Sequence, residues 1–189
     1  MNQSSDEELA RKVQGGDAES FGFLVLRYEE KLNRYGRKFI SSGEDIRDLV
    51  QEIFIKAYTN IKSFDAERKF SSWIYRIAHN EFVNAIRKKS RFPVLFSLFD
   101  FDTFLPHPFA KDLADIGANT REIKTMLDLC LGRLDPKYRE TLVLHYLEEM
   151  EYQEIAEILH IPVSTVGVRL LRAKAMLKKI FLTMTAHHG

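Results

Sequence analysis

The stretch EYQEIAEILHIPVSTVGVRLLRAKAML, residues 151–177, is the densest arrangement of potentially chemical side chains in the sequence. A short helix with Ile155, Ala156 and Leu159 inward leads to a turn at Ile161-Pro162-Val163. A Ser/Thr-capped helix follows, with Val166, Leu170, Ala173 and Leu177 on one side. That spacing is helix-turn-helix arithmetic, in which the first helix braces a second whose N-terminal turns enter a DNA major groove. Arg169, Arg172, Lys174, Lys178 and Lys179 decorate the second helix, and no acid follows Glu157. Glu140, Glu148, Glu149, Glu151, Glu154 and Glu157 crowd the preceding stretch. Periodicity alone fits a solvated helical hairpin equally well. The abrupt charge segregation favours DNA.

A second constellation is KSFDAERKFSSWIYRIAHNEFVNAIRKKSR, residues 62–91. Lys62, Arg68, Lys69, Arg76, Arg87, Lys88, Lys89 and Arg91 interleave with Phe64, Phe70, Trp73 and Tyr75. Cations that follow phosphates and aromatics that stack on bases are the means of single-strand binding. Asn80 and Asn84 lie four apart on one helical face and can donate and accept toward a base edge. The competing reading makes the aromatics core and the basic tail a helix end stabilised by the macrodipole. Phe82 fits that reading, and Trp73 is open to both.

Asp48, Gln51 and Glu52 form a polar face at i, i+3, i+4, which on its own is an ordinary solvated surface. Catalytic signatures are missing: there is no GxGxxG, Walker-A loop, HExxH, GxSxG or CxxC. The six histidines show no metal-ligand spacing, and His187-His188 reads as a frayed tail. Neither a metal nor a cofactor is expected. The lone cysteine, Cys130, falls in an apolar helical stripe and is expected to be buried and inert.

These residues need helices to hold them. Ser5 and Glu8 form a capping-box pattern, and Gly15-Gly16 stops that helix. Amphipathic spacing predicts helices over about 18–40, 44–60 and 70–91. After them, Ile123, Leu127, Cys130, Leu131 and Leu134 share one helical face. Asp135-Pro136 opens a helix expected to reach about Met150. Residues 152–160 and 164–181 complete an all-α fold of two small helical domains. Between them, residues 92–120 hold three of five prolines and six of fourteen phenylalanines, without a sustained period. This segment reads as a linker, its phenylalanines suited to packing on a domain or partner.

The 189-residue chain has a formal charge of +1, with 45% hydrophobic and 29% charged residues, unlike a disordered or membrane protein. The sum hides blocks: net +3 over 1–91, −3 over 92–120 and +1 over 121–189. The polar, acidic start is unlike a signal peptide, so the expected location is cytoplasmic.

DLVQEIFIKAY, then F-SSWIYRIAHN with a basic run, then LDPKYRETLVLHYLEEMEYQEIAEILHIPVSTVGVRLLRAKAML, resemble the extracytoplasmic-function (ECF) group of the sigma-70 family. Three motifs in the family's order cover nearly the whole chain. The resemblance implies a sigma-2 domain over 1–91, a linker over 92–120 and a sigma-4 domain over 121–189. Together these would bind bacterial RNA polymerase core and recognise promoter DNA, under control of an anti-sigma factor. It places polymerase contacts at Asp48, Gln51, Glu52 and Phe54. It places −10 element contacts at Lys62, Phe64, Lys69, Trp73, Arg76, Asn80, Asn84, Arg87 and Lys88. The −35 contacts fall on Ser164, Thr165, Arg169, Arg172 and Lys174. The sequence departs from the family pattern at His160, Gly167 and Val168, and Gly167 has no side chain with which to read a base.

Overall fold

The structure is a computed structural model that describes residues 4–89 and 120–186. Residues 92–119 of the expected linker, Arg91, the Lys89 side chain, and His187 and His188 lie outside the described residues. Among the described residues the secondary structure is helical, with no strand. None of these helices is long and apolar enough to cross a membrane.

Four helices form the N-terminal half. Helix α1, Asp6–Gln14, opens on the Ser5–Glu8 capping box, with both reciprocal hydrogen bonds present. It ends at Gly15, and Gly16 takes φ +103°, a conformation suited to glycine. Helix α2, Glu19–Gly36, stops four residues short of the periodicity, because the chain leaves it in a tight turn through Phe39. Ser42 caps α3, Gly43–Asn60, by accepting from the Asp45 N–H. A short 3-10 turn, Ile61–Ser63, leads toward α4, Phe70–Lys89. Helix pairs α1/α2, α2/α3 and α3/α4 pack together, and Leu9, Leu24, Leu32, Ile46, Ile53, Ile74 and Phe82 lie inside.

The C-terminal half holds α5, Thr120–Gly132; α6, Pro136–Leu142; α7, Tyr152–Leu159; and α8, Val163–Ala186. Asp135 caps α6 through the Lys137 N–H, with Pro136 in the first turn, as expected. The helix does not run to Met150. A π-helical turn at Val143–Leu147 replaces its last part, with the Glu148 N–H donating to the Val143 carbonyl. The chain then reverses through Glu149 at φ +55°. Leu127 is partly exposed, so it is not part of the buried stripe expected with Cys130 and Leu131. Cys130 is buried, and that burial pushes its thiol pKa up. Helix α8 begins at Val163, which puts Ser164 inside the first turn, where a cap had been expected.

His160 ends α7 in the left-handed region, at φ +53°. A side chain with a Cβ is disfavoured there by about 1–2 kcal/mol, and glycine escapes that penalty. His160→Gly should therefore raise the thermal midpoint, by about 1 kcal/mol of stability. A lowered midpoint in differential scanning calorimetry would contradict this account of the turn.

The two halves are not separate bodies. Helix α7 packs against α4, and the buried apolar side chains of both halves form one continuous cluster.

Candidate nucleic-acid interface

The loop between α3 and α4 is held in shape by α1. Gln14 Nε2 donates to the carbonyls of Ile61 and Phe64, at 2.8 and 2.7 Å. The Arg11 guanidinium donates to the Ala66 carbonyl and pairs with Glu67 at 2.7 Å. Glu7 accepts from the Phe70 N–H at 3.0 Å, capping the start of α4. Inside the loop, Phe64 packs against Phe70 and Trp73, with ring centroids 5.5 and 5.3 Å apart.

Against this braced loop lies an open pocket of about 250 Å³, lined by Lys56, Asn60, Ser63, Trp73, Ile77, Asn80 and Glu81. Trp73 and Asn80 had been singled out by residue type, and the fold brings them together. Trp73 is 9% exposed and part of the core cluster, and it also lines the pocket, so burial and a place on the wall are not exclusive. Phe64 is core, 4% exposed, and supports the wall from behind. Sequence reasoning missed Lys56, Asn60, Ser63 and Glu81. Their signal was present: Lys56 and Asn60 lie four apart at the end of α3, and Ser63 follows at i+3. Glu81 pairs with Lys56 at 2.5 Å.

A polar stripe continues from the pocket along α4. Arg76 is half-buried, and Asn80, Asn84, Arg87 and Lys88 are exposed at helical spacing. Lys62 is exposed on the 3-10 turn. Lys69 is also exposed but is engaged, its Nζ lying 3.3 Å from Glu154.

On α3, Asp48, Gln51 and Glu52 are exposed and Ile55 extends the same face at i+7, 65% exposed. Phe54 points the other way. It is buried and meets Phe21 edge-on, so its helical position rules it out of the exposed face. In the C-terminal half, Ser164 is exposed and Thr165, Arg169 and Arg172 are half-buried along the first turns of α8. The N-terminal end of a helix favours anions through its unpaired N–H groups and dipole. Lys174 sits on the flank with its ammonium 4.9 Å from the Tyr146 ring centroid. Gly167 faces Tyr152, and a Cβ there would make ordinary contact at 3.6 Å, so nothing steric demands glycine. His145 bonds the Met150 carbonyl at 2.9 Å and packs between Tyr146 and Tyr152.

The seam between the halves is built from polar groups. Glu148, 3% exposed at its side chain, accepts Arg34 Nε and Nη2 at 3.2 and 2.9 Å and also the Tyr75 hydroxyl. Glu140 meets His79 Nδ1 at 2.6 Å and accepts the Tyr35 hydroxyl. Asp128 pairs with Lys38, Glu154 accepts from Ser72 Oγ and Lys69, and Glu157 lies 3.5 Å from Arg68. Burial first, and the facing carboxylates second, push the Tyr35 and Tyr75 pKa values well above the ordinary tyrosine value. Sequence reasoning saw the acidic block and the basic stretch but not that they face each other. Polar heads at Ser72, Tyr75 and His79, at i, i+3 and i+7 on one face of α4, were the available sign.

Among the described residues, no cluster of His, Cys, Asp and Glu is placed to hold a metal ion.

Two family models match the chain: sigma-70 region 2 over residues 24–92 and sigma-70 region 4 over residues 124–177. The chain is 34% identical over 181 residues to the ECF RNA polymerase sigma factor SigW of Bacillus subtilis, covering 89% of this chain and 92% of that one. It is 35% identical over 188 residues to the ECF RNA polymerase sigma-E factor of Haemophilus influenzae, covering 93% and 95%. Among solved structures it resembles CnrH in complex with the cytosolic domain of CnrY. That likeness has a TM-score of 0.71 and 26% identity, covering 95% of this chain and 99% of that one.

Proposed function

The chain belongs to the extracytoplasmic-function group of the sigma-70 family, a family of transcription factors, and from that premise we propose how its halves divide promoter recognition. The protein directs transcription initiation with bacterial RNA polymerase core. Residues 1–91 bind core and the −10 element, residues 121–189 read the −35 element, and residues 92–120 join them.

The observation that carries the −10 assignment is the pocket joining Trp73 and Asn80 on the braced α3–α4 loop. A base that leaves the stack needs a walled recess and groups able to hydrogen-bond its edge, and its extrusion costs a few kcal/mol. Asn80 supplies the bonding edge and Trp73 the wall. Lys62, Arg76, Asn84, Arg87 and Lys88 follow the phosphates, while Phe64 shapes the recess from inside the core. At the other end, Ser164, Thr165, Arg169 and Arg172 on the first turns of α8 face the major groove, with Lys174 toward the backbone. Asp48, Gln51 and Glu52, continued by Ile55, form the polymerase face, and Phe54 fixes their helix to the core.

None of these roles is catalytic. The chain works in the cytoplasm beside polymerase. Its likeness to CnrH, solved in complex with the cytosolic domain of CnrY, supports control by a bound partner protein, which we take to be an anti-sigma factor.

Purified protein and core polymerase should together yield promoter-specific transcripts, and a failure on every genomic fragment would refute the function. Asn80→Ala should keep core binding and reduce open-complex formation by about 1–3 kcal/mol, the worth of a good base-edge contact. Permanganate footprinting that finds melting unchanged would remove Asn80 from the −10 site.

A further inference from the structure

Helix α1 contributes no side chain to the pocket, yet one of its faces is given over to the loop that shapes it. Glu7, Arg11 and Gln14 lie at i, i+4 and i+7, on one side of the helix. Between them they hold backbone groups of Ile61, Phe64, Ala66 and Phe70. The helix itself is anchored. Leu9, Ala10 and Val13 are buried, and Asp6 takes both Arg27 at 2.5 Å and the Tyr28 hydroxyl.

Of the three, Gln14 bears most directly on the pocket. Its Nε2 bonds two carbonyls, those of Ile61 and Phe64, which flank Ser63 in the chain. The Ile61 carbonyl also accepts the Phe64 N–H at 3.0 Å, so both its lone pairs are used and the 3-10 turn is closed from two sides. Asn60 and Ser63, both on the pocket wall, are carried by this turn, with Ser63 Oγ donating to the Asn60 carbonyl at 2.7 Å. Phe64 leads on to Trp73 through their ring contact. Arg11 and Glu67 are far more exposed, and exposed pairs are weak.

We propose that Gln14 is a positioning residue for base capture, holding the turn in the arrangement that sets Asn60, Ser63 and Trp73 around the recess. This rests on the reading of the Asn80 pocket as a single-strand site. Gln14 touches no nucleic acid itself. A loop without this brace must be ordered at each binding event, and that ordering subtracts from affinity. The apparent affinity then falls with the fraction of chains whose loop is already in place. An ordinary hydrogen bond is worth about two- to tenfold in an equilibrium, so the two from Gln14 suffice to keep most of the population competent.

The test uses the full chain, in which Trp73 is the only tryptophan, so its emission reports on the pocket wall. Gln14→Met keeps the length of the side chain and removes both donors. Gln14→Glu keeps its shape and also removes the donors, but adds a charge. Agreement between the two isolates the lost hydrogen bonds. Circular dichroism follows folding, and co-purification with polymerase core follows core binding. Acrylamide quenching reads the exposure of Trp73 in the free protein. Titration with a random-sequence single-stranded oligonucleotide at low salt, followed by Trp73 emission, reads the affinity of the pocket. The same titrations are repeated on an Asn80→Ala background.

Both variants should fold and bind core as the parent does, with Trp73 more open to acrylamide and the strand bound about tenfold more weakly. On the Asn80→Ala background the same substitutions should weaken binding about twofold or less, because the turn and Asn80 act on one base. Equal losses on the two backgrounds would make Gln14 a general prop of the fold and overturn the proposal. So would a loss of helical signal in both variants, a loss of affinity in only one of them, or affinities equal to the parent's. In each case a weakening by Asn80→Ala alone leaves the pocket reading intact. A parent whose Trp73 emission ignores the strand, or an Asn80→Ala affinity equal to the parent's, would instead refute the pocket reading and the positioning role with it.

Discussion

Raising the pH through 10 should open the seam while the N-terminal half is still folded, and a further rise should unfold that half. Tyr35 and Tyr75 are buried with their hydroxyls on Glu140 and Glu148, so their ionisation is pushed far above the ordinary value of 10. Tyr28 is shifted the same way, by burial first and by Asp6 second, but Asp6 belongs to the same half. The sign follows from linkage. A group whose folded pKa is raised contributes its full stability below its unfolded pKa, and loses it as pH rises toward the folded one. Each tyrosine therefore weakens the state that buries it by about 1.4 kcal/mol per pH unit above 10. Two of them act on closure as well as on folding, and Tyr28 acts on folding alone. Tyrosinate absorbance should rise in two stages, the first accompanied by an increase in radius of gyration and the second by loss of helical signal. A single stage in which expansion and helix loss coincide would show that the seam does not open independently.

Gly36→Ala should destabilise the N-terminal half by about 1–3 kcal/mol, the usual effect of forcing extra volume into a packed core. A Cβ at residue 36 would lie 2.9 Å from both Ile46 Cγ2 and Phe82 Cζ. Both are interior side chains, 2% exposed, without room to swing aside. The glycine closes the last turn of α2 where α3 and α4 converge, beneath Tyr35 and its ring contacts with Phe39, Tyr75 and Phe82. A shift there displaces Tyr35 and Tyr75, so the seam should loosen together with the fold. The midpoint should fall by roughly 4–8 °C per kcal/mol in a domain of this size. An unchanged melting curve would mean that α2, α3 and α4 are packed less closely than described.

Features set by near neighbours were legible in the sequence. The Ser5–Glu8 box, the Asp135 cap, and the helix pair around Ile161-Pro162 each depend on residues within a few positions, and each formed. The length of α6 was not legible. Its periodicity continues past Leu142, but the backbone widens into a π-helical turn that places Glu148 on Arg34 and Tyr75. Long-range contact overrode a local pattern. Phe54 is a related case: the resemblance groups it with Gln51 and Glu52, which are exposed, yet helical geometry turns Phe54 inward and Ile55 outward. Of the pocket, Trp73 and Asn80 could be named from residue type, whereas Lys56, Asn60 and Ser63 join them through the packing of α3 on α4 and the loop that Gln14 ties down at Ile61 and Phe64. The seam was hidden most completely. Its partners are 61 to 114 residues apart, beyond the reach of any periodicity, and charge blocks do not say which faces meet.

That separation along the chain also has a consequence in time. Arg34, Tyr35, Lys69, Tyr75 and His79 all precede the carboxylates that cover them, so they are synthesised first. At about 5–20 residues per second, roughly 4–15 s pass between completion of His79 and the arrival of Glu154. The N-terminal half, with a core of its own, can fold within that interval. During each round of translation Arg68, Lys69 and Ser72 are open to partners before α7 exists to cover them.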